Sequence, residues 1–226
     1  MKPYDIGILR YSDAWQLQEQ FHDEVASGGE ERLLLVEHPP VITFGRRPHV
    51  QKNLVATEDE LAEMGVGVVQ SDRGGDITFH GPGQLVAYPI VRLADHRLLV
   101  GSYMRKLQQI VIEALAEFGV TAQLDPSAVG VWTRNPQNDF AKICAFGVRI
   151  RRGVSMHGIA LNVSTDLRYF NLIVPCGLAG RPVTSLAEVL GDRAPAMDQV
   201  KEIITHYFLR AFAPQGVASN PPPPPQ

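Results

Sequence analysis

Two short stretches, far apart in the chain, hold residue types that together do covalent chemistry on sulfur. One is Phe140-Ala141-Lys142-Ile143-Cys144-Ala145-Phe146-Gly147, where a lysine alternates with apolar residues along a predicted buried strand. The other is Val174-Pro175-Cys176-Gly177-Leu178, where a cysteine sits in a Pro/Gly turn. Apolar surroundings weaken a lysine's preference for the charged form. Such an amine takes the proton of a thiol and makes the sulfur a nucleophile. Pro175 stops the preceding strand and Gly177 permits a sharp turn, which leaves the Cys176 thiol at a corner open to substrate, with backbone N–H groups near a developing oxyanion. Alternation predicts that Lys142 shares a face with Phe140, Cys144, Phe146, Val148 and Ile150. Each residue taken alone also has a plain structural reading: a lysine snorkelling from a strand end, a cysteine kept in a turn for packing. Cys144, inside an apolar run, reads as a small core hydrophobe.

Two further segments suggest what such a centre would act on. In Arg73-Gly74-Gly75-Asp76-Ile77-Thr78-Phe79-His80-Gly81-Pro82-Gly83-Gln84, four glycines bracket a short strand. Glycines let backbone approach a ligand closely, and Arg73 and His80 are placed to fix its polar end; two tight turns around a hairpin strand would look the same. The spacing matches neither a P-loop nor the GxGxxG fingerprint. In Ser155-Met156-His157-Gly158-Ile159-Ala160-Leu161-Asn162, alternation puts Ser155 and His157 on one face and Gly158 and Ala160 on the other, a shallow groove for an acyl chain or simply a close-packing stripe. His38, His49, His96 and His206 show no metal-ligand spacing, so no metal site is expected. No GxSxG elbow is present. Arg46-Arg47 and Arg149-Arg151-Arg152 read as solvated surface, or as a salt-sensitive dock for an acidic protein.

The elements that must position these residues follow from periodicity and caps. A helix is predicted from Ser12 as N-cap to Gly28-Gly29, with Leu17, Phe21 and Val25 as its apolar stripe. Strands are predicted over residues 33–36, 41–44, 66–70, 76–79 and 84–91. Thr57 with Glu60 and Ser185 with Glu188 form capping boxes. Ser102 opens a long helix that turns Tyr103, Leu107, Ile110, Val111, Leu115 and Phe118 inward and ends at Gly119. Residues 141–150 and 154–163 are strands joined by an Arg151-Arg152-Gly153 hairpin, and Val200, Ile203, Ile204, Tyr207 and Phe208 mark a last amphipathic helix. Interspersed helices and hairpin strands predict an α/β (α+β) domain, a mixed β-sheet flanked by helices.

A chain of 226 residues with 45% hydrophobic and 20% charged content is enough for one large core. A net charge of −3 calls for neither nucleic acid nor an anionic membrane. Two cysteines build no disulfide framework, the N-terminus lacks a signal peptide's apolar core, and no run is long enough to span a bilayer, so a cytoplasmic protein is expected. The simplest division is one domain over residues 1–217 and a proline-rich disordered tail over 218–226.

Read together, these segments resemble the lipoyl(octanoyl) transferases, the lipoate-protein ligase B family. The match lies in Arg73-Gly74-Gly75 with His80-Gly81-Pro82-Gly83-Gln84, in Lys142-Ile143, in Ser155 with His157-Gly158-Ile159-Ala160-Leu161-Asn162, and in Pro175-Cys176-Gly177, all in the family's order. The resemblance implies the biotin/lipoate protein ligase catalytic fold and transfer of an octanoyl group from octanoyl-acyl carrier protein to a lysine. That lysine would belong to a lipoyl domain of a 2-oxoacid dehydrogenase complex or to glycine cleavage H protein. It implies Cys176 as nucleophile and Lys142 as its activator. It also implies an acyl site formed by Arg73, Gly74, Gly75, Asp76, Ile77, Thr78, Phe79 and His80, by Ala145, Phe146 and Gly147, and by His157, Gly158, Ile159 and Ala160. No cofactor is implied beyond the phosphopantetheine of the donor, and a monomer is expected. Cys144 replaces the family's usual alanine, and Asp76 its usual glutamine. The competing readings are an ATP-dependent lipoate or biotin-type ligase on the same fold, and a carrier-binding module without turnover.

Overall fold

A β-rich chain with three long amphipathic helical stretches has to bury one face of each helix on a sheet. In the computed structural model, which describes residues 1–174 and 181–213, it does so on a mixed sheet of seven strands. In chain order the strands are β1 (Lys2–Ile8), β2 (Arg32–Glu37), β3 (Val41–Phe44), β4 (Gly67–Gln70), β5 (Thr78–His80), β6 (Gln84–Ile90), β7 (Gln123–Asp125), β8 (Ala128–Arg134), β9 (Phe140–Arg151) and β10 (Val154–Asn162). The helices are α1 (Tyr11–Ala26), α2 (Glu58–Glu63), α3 (Val100–Glu117), α4 (Leu186–Leu190) and α5 (Met197–Ala211). The large sheet runs β1-β2-β6-β10-β9-β8-β7, parallel between β1 and β2 and antiparallel elsewhere. A second sheet, β4-β3-β5, lies apart from it.

Parity along the strands sorts the core. Leu33, Leu35, Leu85, Ala87, Ile159 and Leu161 pack with α3 and α5, through Tyr103, Leu107, Val111, Ile204 and Phe208. Leu34, Val36, Val86, Tyr88 and Ala160 face α1. Each fully buried aliphatic side chain contributes about 1.5–3 kcal/mol over its exposed state. The small sheet has its own core of Ile42, Phe44, Ile77, Phe79, Leu172 and Ile173.

Most local signals hold. Thr57 and Glu60 close a reciprocal capping box on α2, and Ser185 Oγ accepts from the Glu188 N–H. Arg152 and Gly153 both take positive φ, the two-residue hairpin turn expected between β9 and β10. Others shift. Arg10 rather than Ser12 precedes α1, and α3 begins at Val100, where Ser102 reaches back and accepts from the Leu99 N–H. The line α1 buries is Tyr11, Ala14, Gln18, His22 and Val25, with Leu17 and Phe21 beside it half-buried. The polar members of that line serve strand backbone: Gln18 Oε1 accepts from His157 N–H, and His22 Nε2 donates to Arg151 O. The proline-rich tail lies outside the described residues.

Candidate active site

One strand carries the centre of the site, and it changes partners along its length. β9 pairs with β8 only over Phe140 to Cys144, and with β10 from Cys144 to Arg151. The edge that β10 leaves is taken up by the segment after residue 180: Lys142 N–H donates to Pro182 O at 2.9 Å, and Thr184 N–H donates to Lys142 O at 2.9 Å. The edge that β8 leaves is met by the glycine segment, whose Gly74 N–H donates to Val148 O at 2.9 Å. A methyl group on Gly74 would stand 2.9 Å from that same carbonyl, so glycine is what lets the two backbones meet.

The orientation of Lys142 corrects the alternation argument. Val131 pairs with Cys144 but Trp132 pairs with Lys142, so two steps on β9 oppose one on β8 and Ile143 is the extra residue of a bulge. Parity therefore flips. Cys144 stays in the α3/α5 core, where burial pushes its thiol pKa up, the behaviour of a packing cysteine. Lys142 turns instead to the side of Trp132, Ala145 and Ala160, only 7% exposed, with Nζ 4.9 Å from the centroid of the Trp132 indole.

Lys142 lines a cavity of about 910 Å³ walled by β9, β10, the glycine segment and the β7–β8 turn. Of the residues the sequence puts at the acyl site, Arg73, Gly74, Gly75, Asp76, Ile77, Thr78, His80, Ala145, Phe146, Gly147, His157, Gly158, Ile159 and Ala160 all line it. Phe79 does not. It points the other way along β5 into the core of the small sheet, stacked on Tyr169 with ring centroids 4.6 Å apart. Cys176 lies outside the described residues. Val174, two positions before it, donates its N–H to Asn53 O at 2.7 Å, and the Asn53 side chain donates to Asp76 at the cavity wall.

Arg73 lines the cavity and is also braced by the fold. Its guanidinium donates to Thr43 O at 2.7 Å, to Thr43 Oγ1 and to Gly74 O, which ties the glycine segment to β3. His80 is likewise built in. Gln84 Nε2 donates to Phe79 O and to Asn162 Oδ1, so Gln84 Oε1 accepts and His80 Nδ1 carries a proton. The chain continues from Asn162 Nδ2 to Thr184 O, and the Thr184 N–H reaches Lys142 O. One buried run of hydrogen bonds thus connects the cavity wall at His80 with the strand that carries Lys142.

His157 also departs from alternation. Its φ of 55° is left-handed, a conformation that costs a non-glycine residue of order 1–3 kcal/mol. The twist sends its ring toward α1, against Tyr11 and Trp15, while the Ser155 hydroxyl donates to Pro89 O beneath α3. Ser155 and His157 therefore occupy opposite faces. His157 Nε2 meets Asp72 Oδ1 at 2.6 Å, and Arg149 pairs with the same carboxylate. Arg151 pairs with Glu19, so of the five arginines read as solvated surface Arg149 and Arg151 clamp β9 to its neighbours, while Arg46, Arg47 and Arg152 are exposed. Burial lowers the pKa of His157, outweighing the pull of Asp72. Burial also pushes His38 down to about 4 and His80 well below its usual range, the latter helped by the charges of His38 and Arg73. Tyr11, His80, Tyr88 and His157 line one side of the cavity, and the Tyr11 ring also contacts His38 behind them.

Tyr11, Tyr88 and the β7–β8 hairpin belong to this wall and were not singled out from the sequence. The hairpin was legible: Asp125-Pro126-Ser127 is a turn signal before an apolar run, and Asp125 Oδ1 does accept from both Ser127 N–H and Oγ–H. Tyr11 has no local signal, since its role arises only where α1 crosses β10.

A mixed sheet carrying a buried lysine beside a cavity of this shape defines the lipoate and biotin ligase class of fold. The chain matches lipoate-protein ligase A bound with ATP with a TM-score of 0.70 at 16% identity, over 93% of this chain and 85% of that one. It matches biotin protein ligase from Aquifex aeolicus in complex with biotin and ATP at 0.55 and 14%, over 93% and 69%. The lipoyl protein ligase A/B catalytic domain matches residues 10–209, and the chain belongs to that family. Among curated relatives, the octanoyltransferase of Chloroflexus aggregans is 49% identical over 201 residues, 88% of this chain and 89% of that protein. The octanoyltransferase of Nitratidesulfovibrio vulgaris is 43% identical over 220 residues, 97% and 98% of the two. The chain is an enzyme, and its class of reaction is octanoyl transfer in protein lipoylation. No helix among the described residues is long and apolar enough to cross a membrane.

Proposed function

We propose that this enzyme takes octanoyl from the phosphopantetheine thioester of an acyl carrier protein, holds it on Cys176 and delivers it to a lysine of a lipoyl domain. The observation that carries the reading is Lys142: an amine set into the wall of an apolar cavity, on a strand bonded to residues 182–184, six positions beyond Cys176 in the chain. In the first half, Lys142 Nζ accepts the Cys176 proton and Sγ attacks the thioester carbonyl carbon. The tetrahedral adduct then expels the pantetheine thiolate, which recovers the proton from Lys142. In the second half, the amine of the target lysine attacks the acyl-enzyme, Lys142 accepts its proton, and the Cys176 thiolate leaves and is reprotonated. Thioester exchange is nearly isoenergetic and conversion to an amide is downhill, so the cycle requires neither nucleotide nor cofactor. The cavity wall at Ala145, Gly158 and Ala160 presents small side chains along which an acyl chain lies.

Incubating the protein with octanoyl-carrier protein and apo-lipoyl domain, without ATP or magnesium, tests this. Octanoylated lipoyl domain is expected, together with an octanoyl adduct on the wild-type chain by intact mass that is absent in Cys176→Ser. Strict ATP dependence would instead establish the ligase reading, and absence of both product and adduct would leave a binding module.

A further inference from the structure

A general base works only from a defined position, and a lysine stem has four rotatable bonds to lose. We infer that Trp132 and Gly130 are the positioning residues that hold Lys142 in place; the inference rests on the reading of Lys142 as the proton acceptor. The indole is itself immobile. It is 1% exposed, its Nε1–H donates to Ala128 O at 3.2 Å, and Phe140 stacks on it at 5.5 Å between centroids. Its ring attracts the ammonium form of Lys142, 4.9 Å from the centroid, and the Arg181 guanidinium lies 4.7 Å from the same centroid, tied in turn to Asp125 at 2.6 Å.

Gly130 supplies the space. A methyl group there would stand 2.9 Å from Lys142 Cε, 3.0 Å from Trp132 Nε1 and 3.2 Å from Cys144 O. The carbonyl is sheet backbone and the indole is pinned, so of these three neighbours the lysine stem yields most easily. Gly130 also has a φ of 154°, which alanine adopts only with strain, so Gly130→Ala displaces the β8 backbone together with the amine.

The test uses the full chain, with octanoyl-pantetheine as acyl donor, Lys142→Ala as reference and three variants. Gly130→Ala and Trp132→Leu are expected to lower kcat for acylation by about tenfold or more while KM stays within about twofold, since the lost interaction acts on the proton transfer and not on the acyl group. Trp132→Phe keeps an aromatic face and is expected to retain a rate within about threefold of wild type. In chains labelled with 13C at lysine Cε, the Lys142 signal, identified by its loss in Lys142→Ala, is expected upfield from indole ring current. It should move toward the other lysines in Trp132→Leu and stay displaced in Trp132→Phe. Where Trp132→Leu fails to fold, Gly130→Ala carries the test through its rate and its Lys142 13C shift together, read against a melting temperature that reports the strain at Gly130. Wild-type acylation by Gly130→Ala, with Lys142→Ala slow, overturns the inference and leaves the role of Lys142 standing. Wild-type acylation by Lys142→Ala overturns both.

Discussion

His157 and Asp72 are joined by a 2.6 Å hydrogen bond from Nε2 to Oδ1, and that bond holds a strained residue in place. The left-handed backbone at position 157 persists because its ring and its N–H are both caught, the ring by Asp72 and Tyr11 and the N–H by Gln18. Asp72→Asn keeps the side chain's size but removes the charge shared by His157 and Arg149. A loss of about 1.5–3 kcal/mol is expected from urea unfolding, the range for hydrogen bonds to charged groups. Arg149→Ala combined with it should cost less than the sum of the two single changes, because the same carboxylate serves both. Strict additivity would show that the three groups do not act together.

Stability should fall on acidification well before the carboxylates titrate. His38 is held neutral by burial, with a folded pKa of about 4 against 6.5 in the unfolded chain. Below 6.5 the unfolded chain gains a proton that the folded one refuses, so stability is full above 6.5 and declines as the pH falls toward 4. His38 alone accounts for on the order of 3 kcal/mol over that window, and the lowered values of His80 and His157 act in the same direction. Thermal melts between pH 7 and 4 on wild type and His38→Gln check this: the variant's Tm should depend less steeply on pH, and equal slopes would remove His38 from the account.

Gly158→Ala is expected to be the most damaging of the small substitutions at the cavity wall. The added methyl would sit 2.2 Å from Ala87 O and 2.8 Å from Pro89 Cδ, both on the neighbouring strand β6, so β10 and β6 have to part. Overpacking of this kind costs about 1–3 kcal/mol, measurable as a drop in Tm with loss of transferase activity. A variant with unchanged Tm would mean the two strands separate freely.

Asn162→Leu interrupts the hydrogen-bond run between His80 and the strand beside Lys142. It removes the buried donor to Thr184 O, a penalty of about 1–3 kcal/mol, and leaves Gln84 Nε2 with Phe79 O as its remaining acceptor. The expected kinetic result is a fall in kcat larger than any rise in KM for the acyl donor, because residues 182–184 are hydrogen-bonded to the backbone of Lys142. A pure KM effect would assign Asn162 to substrate binding instead.

What the sequence revealed and what it withheld divide along a physical line. Caps, hairpin turns and amphipathic stripes depend on residues within a few positions, and the caps of α2 and α4, the buried stripe of α3 and the β9–β10 hairpin are where local chemistry puts them. The cavity wall from Arg73 to Thr78 was readable because its glycines mark close backbone approach. Two of the errors share one cause: Lys142 and His157 were assigned faces by strict alternation, which a bulge at Ile143 and a left-handed residue at 157 break. Phe79 was carried in with the whole segment from Arg73 to His80, and it turns into the core of the second sheet. Tyr11 reaches the cavity, and Trp132 reaches Lys142, through pairings between elements distant in the chain, which no window of sequence contains.

The bulge at Ile143 makes the aim of Lys142 a question of odd or even. A strand face cannot be half exchanged: removing one residue there would swing the amine into the hydrocarbon between α3 and α5 and turn a core side chain toward the acyl pocket. On the proposed role of Lys142, the chemistry of this protein therefore hangs on a single insertion in the count of β9.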